Sequence, residues 1–506
     1  MTQQYAIISV YDKKGIEDLA REFVSNSIRI ISSGGTADFL EKNAIPVIPV
    51  EDVTHSPESF DGRIKTISFQ IASGILYDRK KISHLDQAKK LSIPSIDFVV
   101  GNVYPFWEKS SIEMIDIGGP TLIRAAAKNY QSVTVITDPN DYIKVIKQLK
   151  KKGATTLLLR KELASKAFSY IAQYDILISN HFNRENNTSK FLSLSNGKQL
   201  RYGDNPHQKG FLFEEGKSDA LGLSNFKVLQ GKDPSYSNYL DVNAGLEALS
   251  LIGSKSPACI ILKHNNPCGA SVASTIEKAF KKSWYDGDTL AAFGGIVVIN
   301  RPLTKKFAEI ILEDKKFLEI IVAPEFSNDA LLLLKPKTKL QLWENKALLH
   351  PSRLPYEDIK KVRNGYLVQE GNIHVLKKNN LHVVTKKKPS VKQIKDMVFA
   401  WSICQVSKSN CVVVARDNTL LSSGVGQQDR KRCCELSISK AHLSLENAVA
   451  ASDGFFPFVD GPEILVNAGI KAIIQPGGSI HDKDVIDFCD KNGIVMIFTG
   501  IRSFKH

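Results

Sequence analysis

The sequence lacks long apolar runs, paired cysteine motifs and a leader-like start. No apolar stretch approaches the roughly 18 residues that a membrane-spanning helix needs, so we expect no membrane partner. The first residues show no basic segment followed by an apolar one, so we expect no secretory signal. Seven cysteines, an odd number without a C-x-x-C pair, argue against a disulfide framework or a zinc ribbon and favour a reducing cytoplasm.

The charge balance is basic, but aromatic residues are missing from the densest basic runs. The 506 residues include 67 Lys and Arg against 53 Asp and Glu, a net charge of +14. Such a balance suits either a nucleic-acid surface or sites for small anionic substrates. The lysine-rich runs 335–339 and 386–388 contain none of the interleaved aromatics that stack bases. We therefore expect no nucleic-acid partner; a steep salt dependence of binding would be its signature.

The first part of the chain alternates strand-like and helix-like segments. Strand-like runs at 5–10, 28–31, 47–50, 96–100 and 133–137 are separated by helix-like segments such as 36–43, 120–129 and 142–150. This alternation predicts a doubly wound parallel sheet. Loop-type residues crowd 180–198, so we place the boundary there, with domains at 1–190 and 198–506.

The second part also reads as α/β. Strand-like runs at 258–262, 295–299, 411–415, 471–475 and 494–498 alternate with helix-like segments. A duplicated unit within 200–506 is an open alternative, which periodicity does not establish.

Lys263 and His264 stand where the apolar run 258–262 ends. Neighbouring side chains on a strand point to opposite faces, so the chain must leave strand geometry for both to reach one ligand. We assign this departure to Asn266 and Pro267, because proline restricts itself and the residue before it. An ammonium group beside an imidazole disfavours the imidazolium form, so we expect a neutral His264 that accepts a proton. The alternative is a surface lysine next to a half-buried histidine.

A double-glycine segment, Ser33, Gly34, Gly35 and Thr36, lies between a strand and a helix start. Free backbone N–H groups and the helix dipole make such a position a phosphate site. The segment is neither a Walker loop nor a dinucleotide fingerprint, so it indicates a mononucleotide phosphate. Lys13 follows the first strand and lies at the same edge of the predicted sheet. The alternative is an ordinary tight turn.

Polar residues at other strand ends indicate chemistry in both parts of the chain. In the first part they are Lys65, Tyr104, Asp116 and Lys128, which we expect to share a crevice as an acid/base set because strand ends of a parallel sheet converge. In the second part Asn410 precedes a strand, and the loop 452–460 joins three phenylalanines to carboxylates. An aromatic wall with a carboxylate suits a flat heterocycle. A hydrophobic loop plug is the alternative.

Three motifs, taken in order, identify a family resemblance. They are R-Y-G-x-N-P-H-Q at 201–208, K-H-x-N-P-C-G at 263–269 and S-D-x-F-F-P-F at 452–458. The chain resembles, over nearly its whole length, the bifunctional purine-biosynthesis family that joins aminoimidazole carboxamide ribonucleotide (AICAR) transformylase to inosine monophosphate (IMP) cyclohydrolase. The resemblance implies an N-terminal methylglyoxal-synthase-like domain and a transformylase domain of two cytidine-deaminase-like halves. It also implies a cytoplasmic homodimer with transformylase sites at the subunit interface.

The resemblance implies two activities and assigns residues to each. A formyl group passes from 10-formyltetrahydrofolate, a reduced folate, to AICAR, and formyl-AICAR then closes to IMP; no metal is required. For formyl transfer the implied catalytic residues are Lys263, His264 and Asn410, with substrate contacts at Arg201, Tyr202, Arg430, Phe455, Asp460 and Arg502. For ring closure they are Lys65, Tyr104, Asp116 and Lys128, with contacts at Ser9, Lys13, Ser33, Gly34, Gly35, Thr36, Arg63 and Thr66.

The cyclohydrolase part departs from the family pattern. Family members usually read R-x-K-T-L-H-P-x-x-H-x-G, whereas Ser68, Phe69 and Ala72 replace His, Pro and His here. Tyr11 stands where a serine is usual beside the phosphate. We expect cyclohydrolase activity with altered phosphate binding or loop order. The alternative is a transformylase whose first domain has become a nucleotide-binding or scaffolding module.

Overall fold

Contacts within the chain divide it into two units, Met1–Ser193 and Leu194–His506. The computed structural model describes residues 3–57, 59–60, 64–183, 189–215 and 219–506. Residues 184–188, which belong to the predicted boundary segment, lie outside the described residues, as do residues 61–63.

The first unit is built on a parallel sheet with the strand order β3-β2-β1-β4-β5. The strands are β1 (Gln4–Val10), β2 (Arg29–Ser32), β3 (Ile48–Pro49), β4 (Ser95–Asn102) and β5 (Thr134–Ile136). The helices are α1 (Ile16–Ser25), α2 (Gly34–Lys42), α3 (Val50–Thr54), α4 (Phe69–Leu76), α5 (Ile82–Lys90), α6 (Gly118–Lys128), α7 (Tyr142–Lys152) and α8 (Leu157–Phe182). The predicted doubly wound parallel sheet is confirmed.

The amphipathic helices of this unit bury the faces that their sequences mark as apolar. In α1 the buried residues are Ile16, Leu19, Ala20 and Phe23, the spacing of one face of a helix. They pack with the fully buried centre of β1 in a single core. The apolar face of α1 and the buried centre of β1 therefore pack in one layer. This packing holds the loops at the carboxyl ends of the strands in place.

The second unit contains longer stretches of sheet. Its strands are β6 (Ser195–Gln199), β7 (Phe211–Glu214), β8 (Lys227–Gln230), β9 (Ala258–Lys263), β10 (Asn266–Val272), β11 (Gly295–Ile299), β12 (Leu318–Ala323), β13 (Gln341–Glu344), β14 (Glu357–Val362), β15 (Gly365–Glu370), β16 (His382–Val383), β17 (Val412–Arg416), β18 (Thr419–Gly424), β19 (Val449–Ser452), β20 (Ala472–Gln475) and β21 (Val495–Phe498). Its helices are α9 (Tyr236–Ile252), α10 (Ile276–Tyr285), α11 (Thr289–Ala292), α12 (Lys305–Leu312), α13 (Asn328–Leu334), α14 (Val391–Val406), α15 (Arg430–Ser439), α16 (Asp460–Asn467) and α17 (Asp482–Lys491).

Twelve of these strands form one sheet made of two halves with the same connectivity. From the centre outward, one half runs β10-β9-β11-β12-β13-β8 and the other β18-β17-β19-β20-β21-β16. In each half, two antiparallel pairings are followed by two parallel ones and a final antiparallel one. The halves meet where β10 pairs with β18. The second part is therefore an α/β duplication, which the sequence left open.

The two halves also share a local detail at their first helix and first hairpin. The sixth residue of α9 is Asp241, and the sixth residue of α14 is Asp396. Each carboxylate accepts a backbone N–H from the hairpin turn that follows its helix, from Asn265 in one half and from Asn418 in the other. The duplication thus extends to a hydrogen bond that anchors a turn.

Both faces of the large sheet are covered, which explains its continuous apolar strand sequences. In β9, Ile260 and Leu262 pack in the core that includes α9 and α14, while Cys259 and Ile261 pack in the core that includes α10 and α12. Alternate residues of a strand point to opposite faces, so both sets are buried. All seven cysteines are free thiols. Within the described ranges, no helix has the length and apolarity required to cross a membrane.

Candidate active sites

A crevice in the first unit lies where the order of the sheet reverses. Chain order runs outward from β1 to β3 on one side and from β4 to β5 on the other. In open α/β sheets, ligands bind beyond the carboxyl ends of the strands at such a point. Asn102 fixes the loop after β1 there. Its Oδ1 accepts from the backbone nitrogens of Tyr11 at 2.6 Å and Asp12 at 3.0 Å, and its Nδ2 donates to Asp12 O at 3.0 Å.

The double-glycine segment that predicts a phosphate site opens α2 beside this crevice. Gly34 has a φ of 52°, and a Cβ at this position would lie 3.2 Å from Lys65 Nζ. Glycine therefore serves both the left-handed turn and the close approach of the ammonium group. Ser33 is the N-cap residue of α2, and the space beside Gly35 is open. The helix start and Lys65 together place positive charge where an anion binds.

The other predicted phosphate contacts lie around the same strand end. The Thr36 hydroxyl donates to Val10 O at 3.0 Å and accepts from Val10 N at 3.2 Å. This buried hydroxyl therefore ties α2 to β1 and leaves only the Thr36 backbone for a ligand. Ser9 is half-buried in β1, and Lys13 Nζ donates to Tyr11 O at 3.4 Å. Arg63 lies outside the described residues.

Asp116 lies just before α6 and receives several backbone N–H groups. Its Oδ1 accepts from Gly119 N at 2.9 Å, and the N–H groups of Tyr104 and Gly118 also bond to its carboxyl group. Burial nevertheless raises the pKa of Asp116, and these hydrogen bonds offset part of the rise. A Cβ on Gly118 would lie 3.1 Å from Thr66 Oγ1. Asp116, Tyr104 and Thr66 are therefore brought together at one helix start.

Lys128 lies at the other end of α6. It is the last of the 11 residues of α6, about 15 Å along the helix axis from the first turn. There it lines a cavity of about 270 Å³ together with Lys161 and Phe168. A straight helix carries its last residue away from its first turn, and the expectation that all four acid/base candidates share one crevice stays a prediction for Lys128.

The segment that departs from the family pattern still forms a helix. Ser68 is the N-cap of α4, and its Oγ accepts from Ile71 N at 3.1 Å; serine is among the preferred residues for this role. Phe69 is exposed, Ile71 is fully buried and Ala72 is half-buried. The replacements therefore preserve α4 but remove the two imidazole side chains that family members usually carry at positions 68 and 72.

In the second unit, Lys263 ends β9 and a two-residue turn leads into β10. His264 and Asn265 have φ values of 51° and 64°, and positive φ at both central residues is the requirement of a type I′ hairpin turn. The prediction that Asn266 and Pro267 end the strand is wrong, since both belong to β10 and Asn266 pairs with Lys263. Pro267 lies at a register shift of β10, a place where a strand accepts proline.

The hairpin tip is held from two sides. The Asp241 carboxylate of α9 accepts the Asn265 N–H. Burial raises the pKa of Asp241, while that hydrogen bond and the nearby His264 oppose the rise. Lys263 Nζ donates to Phe293 O at 2.8 Å. The imidazole and the ammonium group thus stand at one fixed turn.

Asn266 connects this turn to the segment that carries Asn410. Its Nδ2 donates to His264 O at 2.9 Å, and its Oδ1 accepts from Lys408 N at 2.9 Å. Burial lowers the pKa of Lys408, and the neighbouring Lys360 lowers it further. Two motifs far apart in the sequence are therefore joined through one carboxamide.

The Asn410 side chain is oriented by two partners. Its Nδ2 donates to Gln427 O at 2.8 Å, and its Oδ1 accepts from Arg430 Nη2 at 2.7 Å. Arg430 also forms an ion pair with the fully buried Asp453. The Asp453 carboxylate accepts from Cys411 N at 3.0 Å as well. The buried pair fixes which way the Asn410 amide points.

Arg430 is only 7% exposed, so its guanidinium is not presented to a ligand. Besides Asp453 and Asn410, it donates to Ser452 Oγ at 3.1 Å. A Cβ on Gly454 would lie 2.6 Å from Arg430 Nη2, so the glycine makes room for the arginine. The structure places Arg430 behind Asn410 as its support, in contrast to the direct substrate contact that the sequence indicates.

Arg201 and Tyr202 form an exposed pair at the start of α9. Arg201 Nη2 donates to Tyr202 Oη at 2.9 Å, and the guanidinium carbon lies 4.6 Å from the Tyr202 ring centroid. Tyr202 O accepts from Tyr236 N, the first residue of α9, at 3.1 Å. Asp241, which anchors the hairpin, is on the same helix. The Arg-Tyr-Gly loop and the Lys-His turn are therefore both attached to the first turns of α9.

The phenylalanine-rich loop presents two rings and buries one. Phe455 is 38% exposed and Phe458 57% exposed, whereas Phe456 is fully buried. Asp460 begins α16, and its Oδ1 accepts from Gly461 N at 2.8 Å. The predicted hydrophobic plug thus accounts for Phe456, and the other two rings remain available for a flat ligand.

The C-terminal segment brings Arg502 to this loop. Ser503 N donates to Asp453 O at 3.0 Å, and a Cβ on Gly454 would lie 2.6 Å from a ring carbon of Phe504. The Arg502 guanidinium lies 4.5 Å from the Phe504 ring centroid. Arg502 and Phe455 therefore flank the same loop, next to the Asn410 support.

The sequence predicts no role for three residues that hold these sites together, Asn102, Asp241 and Asp453. Asn102 ends the buried strand β4 and Asp453 follows the buried strand β19, which is a usable signal; Asp241 lies inside a helix and gives none. In the described part of the chain, no group of three or more His, Cys, Asp and Glu side chains could hold a metal ion.

Comparisons with known proteins agree on one family. The family model described as AICARFT/IMPCHase bienzyme matches residues 126–440, and the model described as MGS-like domain matches residues 15–133. The bifunctional purine biosynthesis protein PurH of Caldicellulosiruptor saccharolyticus is 43% identical over 517 residues and covers 99% of each chain. The protein of the same name from Aquifex aeolicus is 41% identical and covers 99% of this chain and 100% of its own.

Among solved structures, one described as the crystal structure of ForH is 32% identical over 36% of this chain, with a TM-score of 0.34. That score is too low to support a statement about the fold. The bienzyme model, in contrast, spans more than half of the chain, and relatives above 40% identity span nearly all of it. On this evidence the chain belongs to the AICARFT/IMPCHase bienzyme family.

Proposed function

We propose that this chain catalyses two successive steps of purine biosynthesis. It transfers the formyl group of 10-formyltetrahydrofolate to AICAR and then closes formyl-AICAR to IMP with loss of water. The observation that carries the proposal is the Asn266 carboxamide, which joins the Lys263–His264 turn to the segment of Asn410. We infer that the His264 imidazole, the Lys263 ammonium group and the oriented Asn410 amide thereby surround one substrate position.

Formyl transfer requires a base, because the AICAR amine is a poor nucleophile that must lose a proton as it attacks. His264 accepts that proton while the amine nitrogen bonds to the formyl carbon. Lys263 and the oriented Asn410 amide stabilise the negative charge that develops on the formyl oxygen. The bond between the formyl carbon and the folate nitrogen then breaks, and that nitrogen takes up a proton. A positioned base of this kind contributes roughly 10²–10⁴ in rate.

Ring closure joins two groups of the same molecule, so positioning supplies much of its acceleration. The carboxamide nitrogen attacks the formyl carbon, and the oxygen of that group leaves as water. Lys65 and the first turn of α2 hold the phosphate or a developing oxyanion. Asp116, bonded to the Tyr104 backbone, accepts or returns a proton beside the closing ring. Lys128, at the other end of α6, is the fourth proposed member of this set.

The remaining predicted contacts suit the rest of the substrates. Arg201 and Arg502 are exposed cations that pair with the ribonucleotide phosphate, and Phe455 with Asp460 accommodates the folate ring. Arg430 acts on these substrates through Asn410. We include no metal in the reaction, and a cytoplasmic location is part of the proposal.

A homodimer also belongs to the proposal. Among the described residues, the β14–β15 hairpin pairs with no other strand, and it exposes Tyr366, Leu367 and Val368. An isolated two-stranded hairpin is only marginally stable in water, so a second copy that covers these side chains would stabilise it. Sedimentation equilibrium of the purified chain tests this point, and a monomer at micromolar concentration would contradict it.

The decisive experiment supplies formyl-AICAR to the purified protein without folate and follows the ultraviolet absorbance of IMP. We expect product with the wild type, none with Lys65→Ala, and product with His264→Ala. In the complementary assay with AICAR and 10-formyltetrahydrofolate, Lys65→Ala retains formyl transfer and His264→Ala loses it.

A wild type that transfers formyl groups but forms no IMP would leave the alternative, a transformylase with a silent first domain. The altered segment 68–73 is the feature that favours this alternative. Its capped helix α4 and the retained Lys65, Tyr104 and Asp116 favour activity instead.

A further inference from the structure

Two tyrosines flank the crevice of the first unit. Tyr11 follows β1 directly and Tyr104 lies two residues beyond the end of β4, the neighbouring strands between which the sheet order reverses. Their ring centroids are 5.9 Å apart with an interplanar angle of 78°, the edge-to-face arrangement that aromatic pairs prefer. Both residues remain partly exposed, 51% for Tyr11 and 42% for Tyr104. The pair therefore forms an aromatic wall at the mouth of the crevice.

Tyr11 is placed by a rigid backbone. The Asn102 carboxamide accepts its N–H at 2.6 Å, and Lys13 Nζ donates to its carbonyl oxygen at 3.4 Å. Because Asn102 belongs to β4, the loop that carries Tyr11 cannot move independently of the strand that leads to Tyr104. The edge-to-face contact is thus set by the sheet.

Tyr104 in turn has two proposed functions in the crevice. Its phenol is the predicted catalytic group, and its backbone N–H bonds to the Asp116 carboxyl group. A rotation or shift of Tyr104 would disturb both. A neighbour that limits the motion of the Tyr104 ring therefore acts on ring closure without touching the reacting atoms.

We propose that Tyr11 is a positioning residue for IMP formation, holding the Tyr104 ring at the crevice through their edge-to-face contact. The inference rests on the proposed cyclohydrolase function. It gives a purpose to a residue that departs from the family pattern, since a serine at this position has no ring to offer Tyr104. The competing explanation is that tyrosine merely replaces a hydroxyl beside the phosphate and weakens phosphate binding.

The two explanations predict opposite results for Tyr11→Ser. If Tyr11 positions Tyr104, the serine variant lowers kcat for ring closure about two- to tenfold, and Tyr11→Phe, which keeps the ring, stays within about twofold of the wild type. If tyrosine only replaces a phosphate contact, Tyr11→Ser lowers KM for formyl-AICAR and leaves kcat unchanged. The second result would overturn the proposal.

A double variant gives an independent readout. In a Tyr104→Ala background the partner ring is absent, so Tyr11→Ser should lower the residual kcat no further; an undiminished effect would contradict the proposal. Formyl transfer by the second unit serves as the folding control in every variant and should not change. A wild type that makes no IMP overturns the proposed function itself, whereas an active wild type with an unchanged Tyr11→Ser variant overturns only the role of Tyr11.

Discussion

At the scale of single residues, Arg430 is a buried charged side chain that orients another polar group, the Asn410 amide. Its partner Asp453 is fully buried, and a buried charge is tolerated only when it is paired and hydrogen-bonded. The pair then directs the Asn410 amide through an Arg430 Nη2 donor at 2.7 Å. The pairing of Asp453 and the orientation of the Asn410 amide therefore depend on the same guanidinium group.

Removing that group should damage both properties. We expect Arg430→Met to lower the free energy of unfolding by about 3–5 kcal/mol, because Asp453 is left buried without its cation. Formyl transfer should fall by about tenfold or more, since the Asn410 amide loses its orientation. Urea unfolding followed by circular dichroism and a transformylase assay measure the two effects. Combining Arg430→Met with Asp453→Asn should recover part of the stability, and a single variant within about 1 kcal/mol of the wild type would refute the argument.

Asp116 makes a prediction about pH. Burial raises its folded-state pKa above the ordinary value of 3.8, so its contribution to stability is fully present below that value and is lost as the pH rises through the folded pKa. Asp116→Asn cannot ionise. We expect the melting temperature of the variant to rise relative to that of the wild type between about pH 4 and pH 7. Calorimetry of both full-length proteins across that range is the measurement, and a difference that does not change with pH would contradict it.

Some of these residue roles were accessible from the sequence and others were not. Lys263, His264 and Asn410 could be proposed because their motifs are short and contiguous, and their roles stay predictions. The supporting role of Arg430 could not, since it depends on Asp453 and Asn410, which are brought to it only by the folded sheet. Asp241 could not be identified either, because a polar residue in the middle of a helix carries no local signal of its distant partner.

At the scale of elements, the β9–β10 hairpin positions Lys263 and His264, the residues proposed for formyl transfer. Its turn needs two residues with positive φ, and His264 and Asn265 fill both positions. Histidine and asparagine enter this backbone region more readily than most residues. The His264 imidazole is therefore held by turn geometry and not by a side-chain partner alone.

The turn can be tested with a matched pair of substitutions at Asn265. We expect Asn265→Gly to keep both the turn and formyl transfer, since glycine adopts positive φ without strain and retains the N–H that bonds to Asp241. Asn265→Val should destabilise the turn by about 1–3 kcal/mol and lower formyl transfer while leaving ring closure intact. Thermal unfolding and the two separate assays measure this. Equal activities of the glycine and valine variants would show that the turn does not position His264.

Elements were easier to predict than their ends. The strands predicted at 258–262 and 295–299 match β9 and β11 to within one residue, because both faces of the sheet are covered and the runs are continuously apolar. The turn after β9 was misplaced because Pro267 suggested a break. In the fold, the register shift within β10 removes the need for a donor at Pro267, and the turn falls on His264 and Asn265, which favour positive φ but signal a break less strongly than proline does.

At the scale of the whole molecule, each unit has its own core. The apolar cluster of the first unit is made of residues from 6 to 174, and the three clusters of the second unit are made of residues from 200 onward. Length alone indicated at least two domains. The duplication in the second unit was not visible, since its two halves share topology and a few anchoring residues but no sequence period.

Separate cores predict separable folding. We expect fragments 1–193 and 194–506 each to unfold cooperatively, because each buries its own apolar surface. The first should retain ring closure. A fragment 194–380, cut between the halves of the large sheet, is the matched control and should fail to fold, since it exposes the β10 edge that pairs with β18. Calorimetry of the three fragments is the measurement, and a cooperative transition in the control would contradict the argument.

Because the hairpin is repeated, its turn in one half of the large sheet can be compared directly with its turn in the other half. Its aspartate-anchored turn occurs twice, so the anchor belongs to the structure that the two halves share. What differs is the first turn residue. One half has His264, and the other has Asp417, which pairs with Lys392 at 2.6 Å. The same anchored backbone turn thus presents an imidazole at one hairpin tip and a surface ion pair at the other, so the two tips differ in side-chain chemistry while the sheet keeps one geometry.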